Sequence, residues 1–199
     1  YSFVDGKVTS CQYMVDAVSN LFYGMPINGY VALNMNAVAM INDAVGGVTV
    51  TVPEDMTQVD PSFAEGAAVT LTGDQALKFT RYRDTEKNFS NNSRMERQKT
   101  YLVNFMGQAV KAMKADMGLP VSLYQSLTDD MVTNLSLDRS VYLATEAMDM
   151  HFTADGIVSL KAKSKKGSVY DEVYVNDDAL YDLIIQTFYI EEQSEGESK

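Results

Sequence analysis

Ile27–Pro53 reads I-N-G-Y-V-A-L-N-M-N-A-V-A-M-I-N-D-A-V-G-G-V-T-V-T-V-P. Ile27–Met35 predicts a strand, with Val31 and Leu33 alternating against Tyr30 and Ala32. Asn36 is placed to cap a helix over 37–45, whose Val38, Met40, Ile41 and Val45 recur at helical steps. Gly46-Gly47 ends that helix. Val48-Thr49-Val50-Thr51-Val52 is a period-2 strand closed by Pro53. Upstream, residues 9–23 read as a helix, with Cys11, Met14, Val15, Val18, Leu21 and Phe22 on one face and Gly24 and Pro26 as its stop. The order is α-β-α-β. Such alternation suggests a layered α/β (or α+β) domain, a three-layer α-β-α sandwich around a mixed central sheet.

Downstream, residues 54–70 read as loop. Thr72 caps a short helix, with Asp74 at its positive end. Phe79–Arg83 reads as extended and residues 84–92 as a polar loop. Ser93-Arg94-Met95-Glu96 has the S-x-x-E form of a capping box. The helix behind it carries Leu102, Phe105, Met106, Ala109, Val110, Met113 and Met117 on one face, and Gly118 and Pro120 end it. Residues 121–149 hold helical pieces, one capped by Ser136. Ile157–Lys163 and Ser168–Val175 read as strands around a Ser-Lys-Lys-Gly turn, and Asp177–Tyr189 as a last helix. One domain over 1–190 is expected, followed by a disordered acidic tail over 191–199.

Composition narrows the function. The chain has 199 residues, 46% of them hydrophobic, which is ample for a core, and a net charge of −11. That charge argues against nucleic acid as a partner, since phosphate backbones are bound by broad basic surfaces. One cysteine, Cys11, and one histidine, His151, leave no disulfide and no His-rich metal site. Both read as structural. No run of about 18 apolar residues is present, so no transmembrane segment is expected in this chain. The stripe Val48, Val50, Val52 and the trio Leu102, Phe105, Met106 read first as core, and as lipid-pocket lining only second. Lys161, Lys163, Lys165 and Lys166 read as a solvated hairpin edge.

The charge is uneven. All arginines but Arg139 fall between Arg81 and Arg97. Arg81 and Arg83 share one face if the segment is extended. Arg94, Arg97 and Gln98 fall in the first two turns of a helix that starts at Ser93. Guanidinium groups bind phosphate bidentately, and a helix start attracts anions. Two arginines at that end are favourable when an anion offsets their repulsion. A solvated charged face is the competing interpretation.

The quoted segment resembles the middle of the LytR-CpsA-Psr family, whose members tend to show a D-x-Y-V strand, a helix ending in I-D-A-L-G-G-V and a V-x-V-P strand. L-T-G-D-Q-A-L-K-F-T-R-Y-R, from Leu71 to Arg83, resembles the family's L-x-G-x-Q-A-L-x-Y-x-R-x-R. N-N-S-R-M-E-R-Q, from Asn91 to Gln98, resembles D-x-G-R-x-x-R-Q. The match runs from about residue 8 to 115; residues 119–190 agree in general character.

The resemblance implies a cell-envelope phosphotransferase. Such an enzyme moves an anionic glycopolymer, wall teichoic acid or capsule, from a polyprenyl-pyrophosphate carrier to peptidoglycan. It works at the extracellular face of the bacterial membrane, here with an anchor outside this sequence. It also implies a greasy prenyl pocket and Mg²⁺. Arg81, Arg83 and Arg94 match its catalytic arginines, and with Arg97 and Gln98 they match its pyrophosphate-binding set. The family's earlier strands, with metal-holding acids and an I-P-R-D segment, have no match here and are expected before Tyr1. The family's Asp and Gly before the motif arginine are Asn91 and Ser93 here, and Asn cannot serve as base or metal carboxylate. Alternatives are a non-catalytic module that binds the prenyl-pyrophosphate or anionic glycan, and a pyrophosphate hydrolase.

Overall fold

The computed structural model describes residues 6–84, 90–168 and 171–189. Its class is α/β, as expected. The helices are α1 (Lys7–Leu21), α2 (Met35–Ala44), α3 (Gly73–Arg81), α4 (Ser90–Ala115), α5 (Leu119–Ser126), α6 (Leu137–Ala147) and α7 (Asp177–Phe188). The strands are β1 (Val31–Leu33), β2 (Val48–Thr51), β3 (Ala68–Leu71), β4 (Met131–Thr133), β5 (Ala162–Lys166) and β6 (Asp171–Val175). Among the described residues they pair antiparallel as β1–β4, β2–β3 and β5–β6. These three pairs stand where one mixed sheet was expected. The strands are three to five residues long. β3 and β4 carry so little local pattern that the sequence reading passed over both.

The chain divides into two compact units. Among the described residues, one holds 6–11 and 28–157 and the other 12–27 and 158–189. The acidic tail over 191–199 lies outside the described residues.

The first unit is built on β2–β3. Val48 and Val50 point inward and Thr49 and Thr51 outward. Val48, Val50 and Val52 join Met56, Phe63, Leu71, Ala76 and Phe79 in one buried cluster. They are core. Thr49 and Thr70, directly opposite, share a hydroxyl hydrogen bond of 2.8 Å. In β1, by contrast, all three residues are exposed.

Asn34, two residues before the expected cap, starts α2 by accepting from the N–H groups of Asn36 and Ala37. The helix ends in a Schellman motif: Gly47 N donates to Asn42 O and Gly46 N to Asp43 O. Both glycines have φ of 85°, a left-handed conformation that costs glycine least.

The buried Asn42 ties two elements, β3 and α4, to α2. Its Nδ2 donates to Leu71 O at 2.8 Å, and its Oδ1 accepts from Tyr101 of α4 at 3.2 Å. Burial, reinforced by Asp43, pushes the Tyr101 phenol up to about 12. Asp43 itself accepts from Gly73 N at 2.7 Å. Gly73 opens α3 hard against α2: a Cβ there would lie 2.7 Å from Ala39 O and from Asp43 Oδ2. Gly73→Ala therefore forces the two helices apart. It is expected to cost about 1–3 kcal/mol, read by urea denaturation; an unchanged midpoint contradicts the close approach.

Two corrections bear on the site. Phe79–Arg83 is not extended: α3 runs to Arg81, because Gly73, Ala76, Phe79 and Thr80 are buried at helical spacing. Thr72 and Gln75 form its capping box. Helix α4 is already formed at Ser90, so Ser93–Glu96 lies inside it rather than capping it. Arg94 and Arg97 are thus beyond the first turn, where the dipole's effect fades.

In the second unit, Phe22 packs on Phe188 and Tyr23 on Tyr181. Leu180 and Ile184 are the buried residues of α7. The exposed β5 sets Lys165 opposite Glu172 and Lys166 opposite Asp171, so its strand begins five residues later than expected.

Candidate functional site

The site sits where α3 ends against α4. A helix leaves its last carbonyls without intrahelical donors. Here the donors come from α4. Arg97 Nε donates to Phe79 O at 3.1 Å, and Gln98 Nε2 to Thr80 O at 3.1 Å. A further Arg97 nitrogen donates to Tyr82 O, and another pairs with Glu54, just past β2. The guanidinium lies 5.7 Å from the Tyr82 ring centroid. Its positive charge also suits the negative end of α3.

Arg97 is 1% exposed. Burial lowers its pKa from the usual arginine range; the Glu54 carboxylate opposes that fall, and the nearby charge of Arg94 adds to it. Arg97 was expected at the pyrophosphate. The structure instead spends its hydrogen bonds on Phe79, Tyr82 and Glu54, which makes it a positioning residue. Gln98 also points its amide nitrogen at backbone.

Together they fix the segment that carries the first arginine pair. Arg81 and Arg83 flank the clamped Tyr82, and both are exposed. Arg81 lines an open depression of about 400 Å³ with Val59, Asp74, Leu77, Lys78 and Tyr82. Lys78 pairs with Asp74 at 2.6 Å and Asp60 at 3.6 Å. The hydrogen bond that Lys78 donates to Asp74 raises the lysine pKa. Arg94 is half-buried beside Arg97.

Glu54 and Tyr82 were missed by the sequence reading. Glu54 directly follows the Pro53 that closes the strand, and Tyr82 separates the two arginines, so their positions were visible even though their contacts were not. Asn91 falls in the first turn of α4; residues 85–89, with Glu86 and Lys87, lie outside the described residues.

Farther along α4, Phe105, Ala109 and Met113 line an apolar cavity of about 210 Å³ with Leu123, Leu127 and Met131. Phe105 lies 11 residues beyond Arg94, about 16 Å along a helix. On another side of α4, Leu102, Val103 and Met106 face His151 and Phe152 around about 270 Å³.

Among the described residues, no three His, Cys, Asp or Glu side chains gather as a metal cage. The described residues therefore offer no cage of their own for a divalent ion. No helix among them is long and apolar enough to cross a membrane.

A model of the LytR_cpsA_psr family matches residues 5–186. The polyisoprenyl-teichoic acid–peptidoglycan teichoic acid transferase TagU of Bacillus cereus is 52% identical over 62 residues, 31% of this chain and 20% of that protein. TagU of Halalkalibacterium halodurans is 30% identical over 129 residues, 64% of this chain and 40% of that protein. The chain thus spans well under half the length of either relative. Among solved structures, TagV of B. subtilis aligns with a TM-score of 0.66 at 20% identity, over 94% of this chain and 72% of that one. TagT bound to LIIa-WTA aligns with a TM-score of 0.66 at 17% identity, over 86% of this chain and 64% of that one. At such identities the likeness shows the fold.

Proposed function

The chain belongs to the LytR_cpsA_psr family, and from that premise we propose that it transfers an anionic glycopolymer from a polyprenyl-pyrophosphate carrier to peptidoglycan. The names of the TagU relatives support this reading. The observation that carries it is the arginine group at the α3–α4 junction: exposed Arg81 and Arg83 and half-buried Arg94, on backbone clamped by Arg97 and Gln98. An acceptor hydroxyl attacks the phosphorus next to the glycan. A new P–O bond forms, the P–O–P bridge breaks, polyprenyl phosphate leaves and the hydroxyl proton is released. Negative charge grows on the phosphate oxygens, and fixed guanidinium groups neutralise it without reorganising. The apolar cavity along α4 takes part of the prenyl chain. Mg²⁺ would come bound to the substrate's own phosphates and would neutralise part of their charge there. Work at the outer face of the membrane is part of the same proposal.

Asn91 favours a second reading, a module that binds the donor without transferring it, because an amide neither takes a proton nor carries negative charge. Titration with a short prenyl-pyrophosphate tests the site. Arg94→Ala is expected to weaken binding at least tenfold, the scale of one hydrogen bond to a charged group. Unchanged affinity removes the site from α4. Adding Mg²⁺ and a muropeptide then separates the readings: a phosphodiester product supports transfer, and binding without product supports the module.

A further inference from the structure

We propose that an open groove between β1 and α6 is a recognition site for a glycan bearing a carboxylate, the acceptor of the transfer; this rests on the transferase reading. The groove measures about 530 Å³, and its walls include Asn28, Tyr30 and Val31 on one side and Arg139, Tyr142 and Leu143 on the other. Arg139, Tyr142 and Leu143 stand three and four residues apart on α6, so they share one helix face.

The two walls are held in register. Tyr30 N donates to Asn134 Oδ1 at 2.9 Å, and the Thr133 hydroxyl donates to Tyr30 O. Gly29 approaches Leu135 so closely that a Cβ would lie 2.8 Å from its Cδ2. The groove is therefore preformed at its floor, which lowers the ordering cost of binding.

Its chemistry suits a sugar. Tyrosine rings, Val31 and Leu143 offer faces for the C–H surface of a pyranose, while tyrosine hydroxyls and the Asn28 amide reach ring substituents. Arg139 is the one arginine outside the 81–97 stretch, in a chain of net charge −11. Among the residues that line the groove it is the one charged side chain, so the wall there is cationic. Among the described residues the Arg139 side chain forms no ion pair within 4.0 Å. The neighbouring Asp138 carboxylate has its pKa lowered, mainly by a hydrogen bond from Ser136 and in smaller part by the charge of Arg139. One guanidinium with a carboxylate alongside matches a singly charged carboxylate better than a polyphosphate. The groove is also separate in character from the apolar cavity, which shares Val31 and lies against Ser140 and Ala144 of the same helix. Prenyl chain suits the cavity, and sugar suits the groove.

Ligand-observed NMR and calorimetry with the 199-residue chain test this, with a soluble disaccharide–peptide muropeptide and neutral chitotetraose as probes. Tyr142 is 62% exposed, so Tyr142→Ala leaves the thermal midpoint in place. It is expected to weaken both probes at least fivefold. Arg139→Ala is expected to weaken the muropeptide alone. Binding of a short prenyl-pyrophosphate stays unchanged in both variants. The proposal is overturned by failure of the parent protein to bind muropeptide, by unchanged muropeptide affinity in both variants, or by loss of prenyl-pyrophosphate binding in them. Muropeptide binding without any donor binding upholds the groove and sinks the donor site instead.

Discussion

Arg97→Ala is expected to cost about 3 kcal/mol of stability, near the lower end of the range for breaking a buried ion pair. The lower end applies because the two sides of the pair differ: Arg97 is 1% exposed, whereas the Glu54 side chain is 35% exposed and regains water. The larger share comes from the Phe79 and Tyr82 carbonyls, which lose charge-assisted donors. For a chain of this size that loss lowers the thermal midpoint by roughly 6–12 °C. Arg97→Lys recovers less than half, since one ammonium cannot reproduce a fork that spans three acceptors. Calorimetry reads both variants, and a midpoint within a degree of the parent for Arg97→Ala refutes the clamp. Under conditions where the variant is still folded, donor affinity also falls, because Arg81 and Arg83 are untouched but no longer held.

Phe79→Ala is expected to cost about 3–5 kcal/mol, the range for emptying a buried phenylalanine site. Phe79 is fully buried, and its ring meets Phe63 edge-on at 5.8 Å with planes 79° apart. Neither partner can collapse into the space, since α3 is pinned to α2 at Gly73 and to α4 at Phe79 and Thr80. Urea denaturation measures the loss, and a cost below about 1 kcal/mol contradicts a close-packed junction. Phe79→Leu, which keeps most of the volume, loses less.

These two residues also mark where the sequence stops being legible. The helix over α2 and its stop were readable because their causes are local: an apolar repeat followed by two glycines. The Thr72 cap was readable for the same reason. Phe79-Thr80-Arg81-Tyr82-Arg83 alternates like a strand, and only burial of Ala76 and Phe79 against the sheet makes its first half helical. β3 and β4 owe their existence to partners far away in the chain, Val48–Thr51 and Val31–Leu33. The arginines stood out as a cluster of charge. Their division of labour did not, because Arg97 is claimed by Glu54, 43 positions earlier. A charge count cannot tell an arginine that faces solvent from one that holds two helices together.

The three-residue β1 turns apolar side chains to solvent. Val31 is 51% exposed and Leu33 40%, and among the described residues β4 is the single strand beside them. A short apolar strand with an open edge is a template for pairing with another copy. A net charge of −11 opposes such pairing by mutual repulsion. Added salt, which screens that repulsion, and acid, which removes the carboxylate charge, are therefore expected to promote association through this edge, read by light scattering.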